Sequence, residues 1–220
     1  LTTIPGSDDL IFGIADTCKI SLLLIWSIDL FSIIFLGRFP LLRKNDSQTA
    51  EASSFATVKM EYDDGSVYEG TCSDGRQHGQ GNYKLPNGYE YTGEWVKGEI
   101  EGHGVAKFPN GAVYEGAFVA GAPQGQGRIT YEDGATYEGS FTNGKIDGFG
   151  ESRYVDGSVY KGEFRTEKRH GKGILTYTDG SIFDCEWKSD VADGNAKITY
   201  ADGSTYSGKV LNGVRDGLGR

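Results

Sequence analysis

The chain has 220 residues with 34 Gly and 5 Pro, about twice the glycine share of an average globular protein. Because glycine destabilises helix interiors and the aromatic residues are mostly Tyr and Phe, this composition favours many short strands over helices. The formal net charge is −9, and residues 62–220 carry 24 acidic and 17 basic side chains, which argues against a nucleic-acid partner.

Residues 1–44 contain a hydrophobic segment. Positions 20–36 have the sequence ISLLLIWSIDLFSIIFL, with thirteen apolar side chains and one charge, Asp29. This is just long enough to cross a bilayer as a helix. The apolar side chains favour insertion by about 4 to 8 kcal/mol, against a cost of about 3 kcal/mol for a central Asp. We predict a hydrophobic N-terminal helix that is a candidate transmembrane segment. A helix packed on the following domain and an incorrectly predicted gene start are the open alternatives.

The charges around this segment predict its orientation. Three basic residues follow it: Arg38, Arg43 and Lys44. Before it, three acidic residues, Asp8, Asp9 and Asp16, outnumber one basic residue, Lys19. The positive-inside rule then places the rest of the chain in the cytoplasm. A cleaved signal peptide is disfavoured, because the small-residue site Ala50-Glu51-Ala52 lies some fourteen residues past the apolar run. Residues 45–57 are polar and are predicted to be a flexible linker.

Residues 58–220 repeat with a period of 23 residues, which is clearest in a ladder of aromatic side chains. The ladder consists of Tyr68, Tyr91, Tyr114, Tyr137, Tyr160, Phe183 and Tyr206. Two positions later comes a small residue, at Gly70, Gly93, Gly116, Gly139, Gly162, Cys185 and Gly208. Two positions later again comes an apolar residue, at Cys72, Trp95, Phe118, Phe141, Phe164, Trp187 and Val210. This alternation has the period of two that is typical of a strand.

A second alternating run follows each first run after a turn. It opens with two glycines, such as Gly79 and Gly81, and it ends at an Asn-Gly or Asp-Gly turn such as Asn87-Gly88. Such dipeptides supply the positive φ that tight hairpins need. Each unit is therefore predicted to be an antiparallel β-hairpin, with about seven units in the chain.

The parity of the side chains predicts two different faces. In the first unit Tyr68 falls on the same face as both Gly79 and Gly81, whereas Glu69 falls on a polar face. We expect the glycines to leave room for the rings, and cross-strand ion pairs on the polar face to contribute about 0.2–1 kcal/mol each. Because one hairpin cannot bury its aromatic face alone, the predicted fold is all-β, an elongated single-layer solenoid of stacked hairpins preceded by the hydrophobic helix.

The sequence shows no set of residues that would support catalysis or cofactor binding. The Gly-x-Gly pairs do not continue into a phosphate-binding loop, and the three histidines, His78, His103 and His170, lack metal-ligand spacing. The three cysteines form neither a CxxC pair nor an even disulfide framework. We therefore predict no enzymatic activity, cofactor, metal or small-molecule substrate.

One stretch is locally basic. It comprises Arg165, Lys168, Arg169, His170 and Lys172, and Glu167 interrupts it. We interpret it as the candidate anion or phospholipid-headgroup site. The alternative is a solvated turn.

The fourth unit, YEGSFTNGK at residues 137–145 followed by DGFG at residues 147–150, resembles the repeat of MORN-repeat proteins. The resemblance implies a twisted array of β-hairpins that acts as a scaffold, dimerisation or membrane-association module, and implies no single reaction. The pattern departs from this repeat in the first unit at Cys72, in the fifth at Glu167, and in the sixth at Phe183, Cys185, Asp190 and Ala196.

These observations predict a non-catalytic scaffold for protein partners or membrane tethering. A phospholipid-headgroup module and the regulatory region of a longer enzyme, such as a phosphatidylinositol-phosphate kinase, are the alternatives. The outermost strands of an array have open edges that pair unless they are capped. We therefore expect an end-to-end homodimer, or further repeats beyond residue 220.

Overall fold

The computed structural model of the protein describes residues 57–220, and the predicted helix at residues 20–36 and the linker up to residue 56 lie outside them. The described part contains fifteen β-strands and no helix, so it has no helical segment that could cross a membrane. The strands are β1 (Thr57–Glu61), β2 (Val67–Ser73), β3 (Arg76–Lys84), β4 (Glu90–Val96), β5 (Glu99–Lys107), β6 (Val113–Val119), β7 (Ala122–Thr130), β8 (Thr136–Thr142), β9 (Lys145–Arg153), β10 (Val159–Arg165), β11 (Lys168–Thr176), β12 (Ile182–Lys188), β13 (Val191–Thr199), β14 (Thr205–Leu211) and β15 (Val214–Asp216).

The described residues form two compact units, residues 57–132 and residues 133–220. In the first unit β1 to β7 lie side by side in chain order, and each strand is antiparallel to the next. In the second unit β8 to β15 are arranged in the same way. Each unit is therefore one open antiparallel sheet, and the prediction of an all-β chain of antiparallel hairpins is confirmed for this part of the chain.

Two kinds of turn connect the strands. Within a repeat, both central residues of the turn have positive φ, as at Asp74 (51°) and Gly75 (72°), which is the two-residue hairpin geometry that matches strand twist. Between repeats only the glycine has positive φ, as at Gly88 (93°). There the Asn87 side-chain oxygen accepts the Tyr89 N–H at 2.9 Å. The Asn or Asp before this glycine thus closes the turn with its side chain.

Every complete hairpin contains the same irregularity. Opposite the stretch from Gly70 to Cys72 in β2, the second strand β3 contains two extra residues, because Gly70 pairs with Gly81 and Cys72 pairs with Gln77. Equivalent shifts occur in the other hairpins. Gly79 lies in this bulge with φ of 78°. The two extra residues interrupt the side-chain alternation at this glycine, whereas Gln77 and Gly81 on either side of it keep the same parity and the same face.

Candidate functional site

One face of each sheet is formed by tyrosine rings that lie directly on glycine backbone. A Cβ atom added at Gly70 or Gly81 would overlap the ring of Tyr68, and Gly139 and Gly150 stand in the same relation to Tyr137. The rings are therefore buried by their own sheet, without a second layer above them. Tyr68, Tyr91 and Tyr160 have no exposed surface.

The tyrosine hydroxyls are also satisfied within their own strands. The Tyr137 O–H donates to the Ser140 carbonyl oxygen at 3.0 Å, and Tyr160 donates to Glu163 at the same distance. The rings meet the neighbouring aromatics edge to face, as in Tyr137 and Phe164, whose centroids are 5.1 Å apart. Such pairs contribute about 0.5–1.5 kcal/mol beyond the area that they bury.

The structure buries most of the residues that the sequence assigns to the core. The buried side chains are Tyr68, Tyr91, Trp95, Tyr114, Phe118, Tyr137, Phe141, Tyr160, Phe164, Trp187 and Tyr206. The buried glycines are Gly70, Gly93, Gly116, Gly139 and Gly162, whereas Gly208 and Phe183 are half-buried.

The first glycine of each pair does not lie on the aromatic face, contrary to the parity assignment. A Cβ added at Gly79 would meet the side chain of Thr71, and one at Gly171 would meet the carboxylate of Glu163, both on the polar face. The bulge is the physical reason, because it gives this glycine a positive φ and turns its missing side chain over. Only the second glycine of the pair makes room for a ring.

A column of core residues outside the repeated Tyr and Gly positions lies just after each hairpin turn. These residues have the parity of the second glycine of their repeat and lie on the aromatic face, and they are chemically diverse: Gln77, Ile100, Pro123, Ile146, Arg169 and Ala192. Gln77 is 5% exposed and donates its Nε2–H to the Tyr62 hydroxyl at 2.6 Å. The sequence signals for this column are its parity and its constant place two residues after the turn.

The sixth repeat packs differently and is internally consistent. Cys185 fills the glycine position and is 3% exposed. Phe183 instead contacts Tyr177 and Tyr200, at centroid distances of 5.2 and 6.4 Å. Because phenylalanine has no hydroxyl, this ring can leave the usual site without losing a hydrogen bond. Burial raises the pKa of the Cys185 thiol to about 12, so this thiol is protonated at neutral pH.

The opposite face is polar, and its acidic residues have two roles. Cross-strand ion pairs join Lys84 to Glu90 at 3.4 Å and Lys161 to Glu151 at 3.9 Å. Other glutamates contact backbone, since the Glu94 carboxylate accepts the His103 N–H and the Glu163 carboxylate accepts the Lys172 N–H, both at 3.2 Å. These two glutamates lie over the bulge glycines and satisfy a donor that the irregular ladder leaves free.

The predicted anion site is not assembled as one cluster. Arg169 occupies the core column, with its guanidinium 4.3 Å from the centroid of the Trp187 ring. Asp190 binds it through an Oδ1 that lies 3.2 Å from Nε. Arg165 and Lys168 pair across the hairpin end, and Lys172 pairs with Glu186 on the polar face. His170 is half-buried between these groups. The five basic residues are thus divided between the two faces.

Residues 133–220 also contain an open trough on the polar face, of about 830 Å³. Its charged lining alternates in sign, with Lys172, Lys197 and Lys209 against Asp184, Glu186 and Asp216. Such a balanced lining selects neither an anion nor a cation. Within residues 57–220 no group of three or more His, Cys, Asp or Glu side chains could hold a metal ion.

A family model described as MORN repeat matches this chain in seven successive segments. They are residues 68–88, 91–113, 114–136, 137–159, 160–182, 186–205 and 206–220. Each of the first five starts at a ladder tyrosine, and the sixth starts at Glu186, past the exceptional Phe183 and Cys185. No curated protein sequence matches the chain.

Solved structures that the chain resembles include the TCP domain of SAS-4 (dCPAP) from Drosophila melanogaster, in complex with a proline-rich motif of Ana2 (dSTIL). It is 14% identical with a TM-score of 0.44, over 76% of this chain and 97% of that chain. The TCP10c domain of Drosophila melanogaster Sas-4 is 13% identical, with a TM-score of 0.40, over 68% of this chain and 89% of that chain. The TCP10 domain of Danio rerio CPAP is 18% identical, with a TM-score of 0.27, over 73% of this chain and 87% of that chain. At these levels the likeness does not extend to function.

Proposed function

The chain belongs to the MORN-repeat family, and from this premise we propose that it is a non-catalytic scaffold that binds protein partners through the polar face of its sheets. The observation that carries this proposal is the contrast between the two faces. One face uses the same tyrosines and glycines in nearly every repeat and buries them. The side chains of the other face vary in charge and size from repeat to repeat. Each repeat can therefore present a different surface to a partner.

A lipid-headgroup module is the competing proposal, and the arrangement of the basic residues weakens it. Arg169 is held by Asp190 and by the Trp187 ring. Residues 62–220 carry a net charge of −7, from 17 basic and 24 acidic side chains. An anionic membrane surface repels such a domain except at a concentrated basic patch.

Three further proposals rest on the sequence and on the family to which it belongs. The hydrophobic segment at residues 20–36 and its flanking charges support cytoplasmic repeats that are tethered to a membrane. End-to-end homodimerisation rests on the open strand edges of an array. A regulatory role beside a catalytic domain rests on the domain organisation of other MORN-repeat proteins.

Affinity capture followed by liposome flotation tests the main proposal. Residues 55–220 are immobilised as the wild type and with three exposed glutamates of the polar face, Glu69, Glu115 and Glu138, changed to Lys. We expect discrete proteins to be retained by the wild type and lost from the variant. Strong, salt-sensitive flotation with phosphoinositide vesicles, together with no retained protein, would contradict the scaffold and support the headgroup module.

A further inference from the structure

The polar face of residues 133–220 presents an aromatic ring to solvent. Phe149 lies in β9 and is 56% exposed. The same position is polar in five other repeats, at Gln80, His103, Gln126, Lys172 and Asn195, and it is Leu218 in the seventh. Among residues 57–220, no aromatic ring contacts the ring of Phe149. Its side chain therefore contributes little to the core, unlike Phe141 in the same hairpin, which is 4% exposed.

Carboxylates surround this ring on the same face. Glu163 of β10 is directly opposite Phe149, and Glu138 of β8 is opposite Glu151, which is two residues from Phe149 on its own strand. Directly opposite residues on one face have Cβ atoms about 5 Å apart, and diagonal neighbours remain within reach of long side chains. Three acidic residues are thus neighbours of Phe149 on this face, and the Glu163 carboxylate is turned toward Gly171 of β11.

Within the described residues, only one of these three carboxylates forms ion pairs with nearby cations. Arg153 and Lys161 both pair with Glu151. Glu163 accepts only the backbone N–H of Lys172, and Glu138 forms no ion pair among the described residues. Two of the acidic neighbours of Phe149, Glu138 and Glu163, therefore have no cationic partner in the described part of the chain, and the exposed Ile174 lies opposite Lys161 on the next strand.

We propose that Phe149, with Glu138 and Glu163, docks a basic segment of a partner protein. An Arg or Lys side chain of the partner lies over the face of the ring, which attracts a cation within about 6 Å, and the two carboxylates bind its charge. Exposed aromatics of this kind are the anchors that dominate protein interfaces. The same carboxylates disfavour an anionic membrane at this place. This inference rests on the scaffold function and specifies the chemistry of its partner.

Fluorescence anisotropy of the full chain in neutral detergent tests the docking surface. The probe is a fluorescein-labelled peptide of alternating Arg and Ser, and the same peptide with Glu in place of Arg is its control. Phe149→Gln introduces the residue found at positions 80 and 126 and leaves the charge unchanged. Val155→Ser is the matched control, because Val155 is also 56% exposed but lies outside the acidic surface.

We expect the Arg peptide to bind and the Glu peptide not to bind. Phe149→Gln should weaken binding by about fivefold or more, as expected for a lost cation–π contact, and Glu138→Gln and Glu163→Gln should also weaken it. Val155→Ser should leave the affinity unchanged. Equal affinities of the wild type and Phe149→Gln, or no binding of the Arg peptide, would overturn the proposal. If the Arg peptide result is negative but proteins are still retained in the capture experiment, only the basic-segment inference fails. If no protein is retained either, the proposed scaffold function fails as well.

Discussion

At the scale of single residues, the contact between a tyrosine ring and two glycines stabilises each repeat. The ring of Tyr137 lies on Gly139 and Gly150, and its hydroxyl bonds to the Ser140 carbonyl. Because the ring covers bare backbone, an aromatic side chain is removed from water on a sheet that has no second layer over it. Burial of a ring of this size removes about 150–250 Å² from water, which corresponds to about 4–6 kcal/mol.

This contact predicts different losses of stability for two substitutions at one repeat position. Gly150→Ala places a methyl group into the Tyr137 ring and should cost about 2–3 kcal/mol, in the range of overpacked cores. Ala196→Gly changes the equivalent residue of the sixth repeat, where Phe183 lies elsewhere, and should cost less than about 1 kcal/mol. Urea denaturation measures both. Equal losses of stability would contradict the proposed ring contact.

Carboxylates in the turns and over the bulges predict the response to acid. Hydrogen bonds from Asn195, through its side chain and then its backbone, lower the pKa of Glu186, and Ser66 and Ser204 lower the pKa values of Asp64 and Asp202 in the same order. A lowered folded-state pKa contributes stability that is present above the unfolded pKa and is lost as the pH falls through the folded value. The denaturation midpoint should therefore fall as the pH is lowered from 5 to 3. Glu186→Gln should show a shallower dependence, and an identical slope would count against this account.

At the scale of the element, the hairpin turns differ in backbone strain. Most end in glycine, but Glu167 and Asp190 have φ of 66° and 71°, a region that costs a side-chain-bearing residue about 1 kcal/mol. Asp190 has a compensating role, since its carboxylate binds Arg169. The Glu167 N–H donates to the Ile146 carbonyl oxygen at 2.8 Å, a bond that any residue can form.

This difference predicts that the same substitution changes stability in opposite directions at the two turns. Glu167→Gly should stabilise the protein by about 0.5–1 kcal/mol through relief of the positive φ. Asp190→Gly should destabilise it by about 2 kcal/mol or more, because the largely buried Arg169 guanidinium loses its carboxylate. Thermal unfolding of both variants tests this. Destabilisation by Glu167→Gly would show that its side chain has a role that the turn geometry does not reveal.

The sequence predicts the strands and turns more completely than it predicts which side chains lie on each face. The 23-residue period and the Asn-Gly and Asp-Gly turns indicate each hairpin, because turn geometry depends on local residues. Parity fails at the bulge glycine, so the orientation of Gly79 could not be predicted by counting. The Gln77 column follows parity, but its residue types differ from repeat to repeat and form no motif. The sequence groups Arg169 with its basic neighbours, because its partner, Asp190, lies 21 residues away in the next hairpin. The group formed by Phe149, Glu138 and Glu163 also depends on the register between β8, β9 and β10, which the sequence does not show.

At the scale of the whole molecule, the proposed function separates stability and partner binding onto opposite faces of the same strands. The aromatic face buries its own rings, so the polar face is free to vary without loss of the fold. Two phenylalanines in strands β8 and β9 of one hairpin represent the two roles. Phe141 is 4% exposed and contacts Tyr137 at a centroid distance of 5.3 Å, whereas Phe149 is 56% exposed.

Urea denaturation of Phe141→Ala and Phe149→Gln side by side is the most direct test of this assignment. Phe141→Ala should cost about 3–5 kcal/mol, as for aromatic truncations in cores. Phe149→Gln should change the free energy of unfolding by no more than about 0.5 kcal/mol, as for surface substitutions. A loss from Phe149→Gln as large as that from Phe141→Ala would contradict the assignment of the two faces.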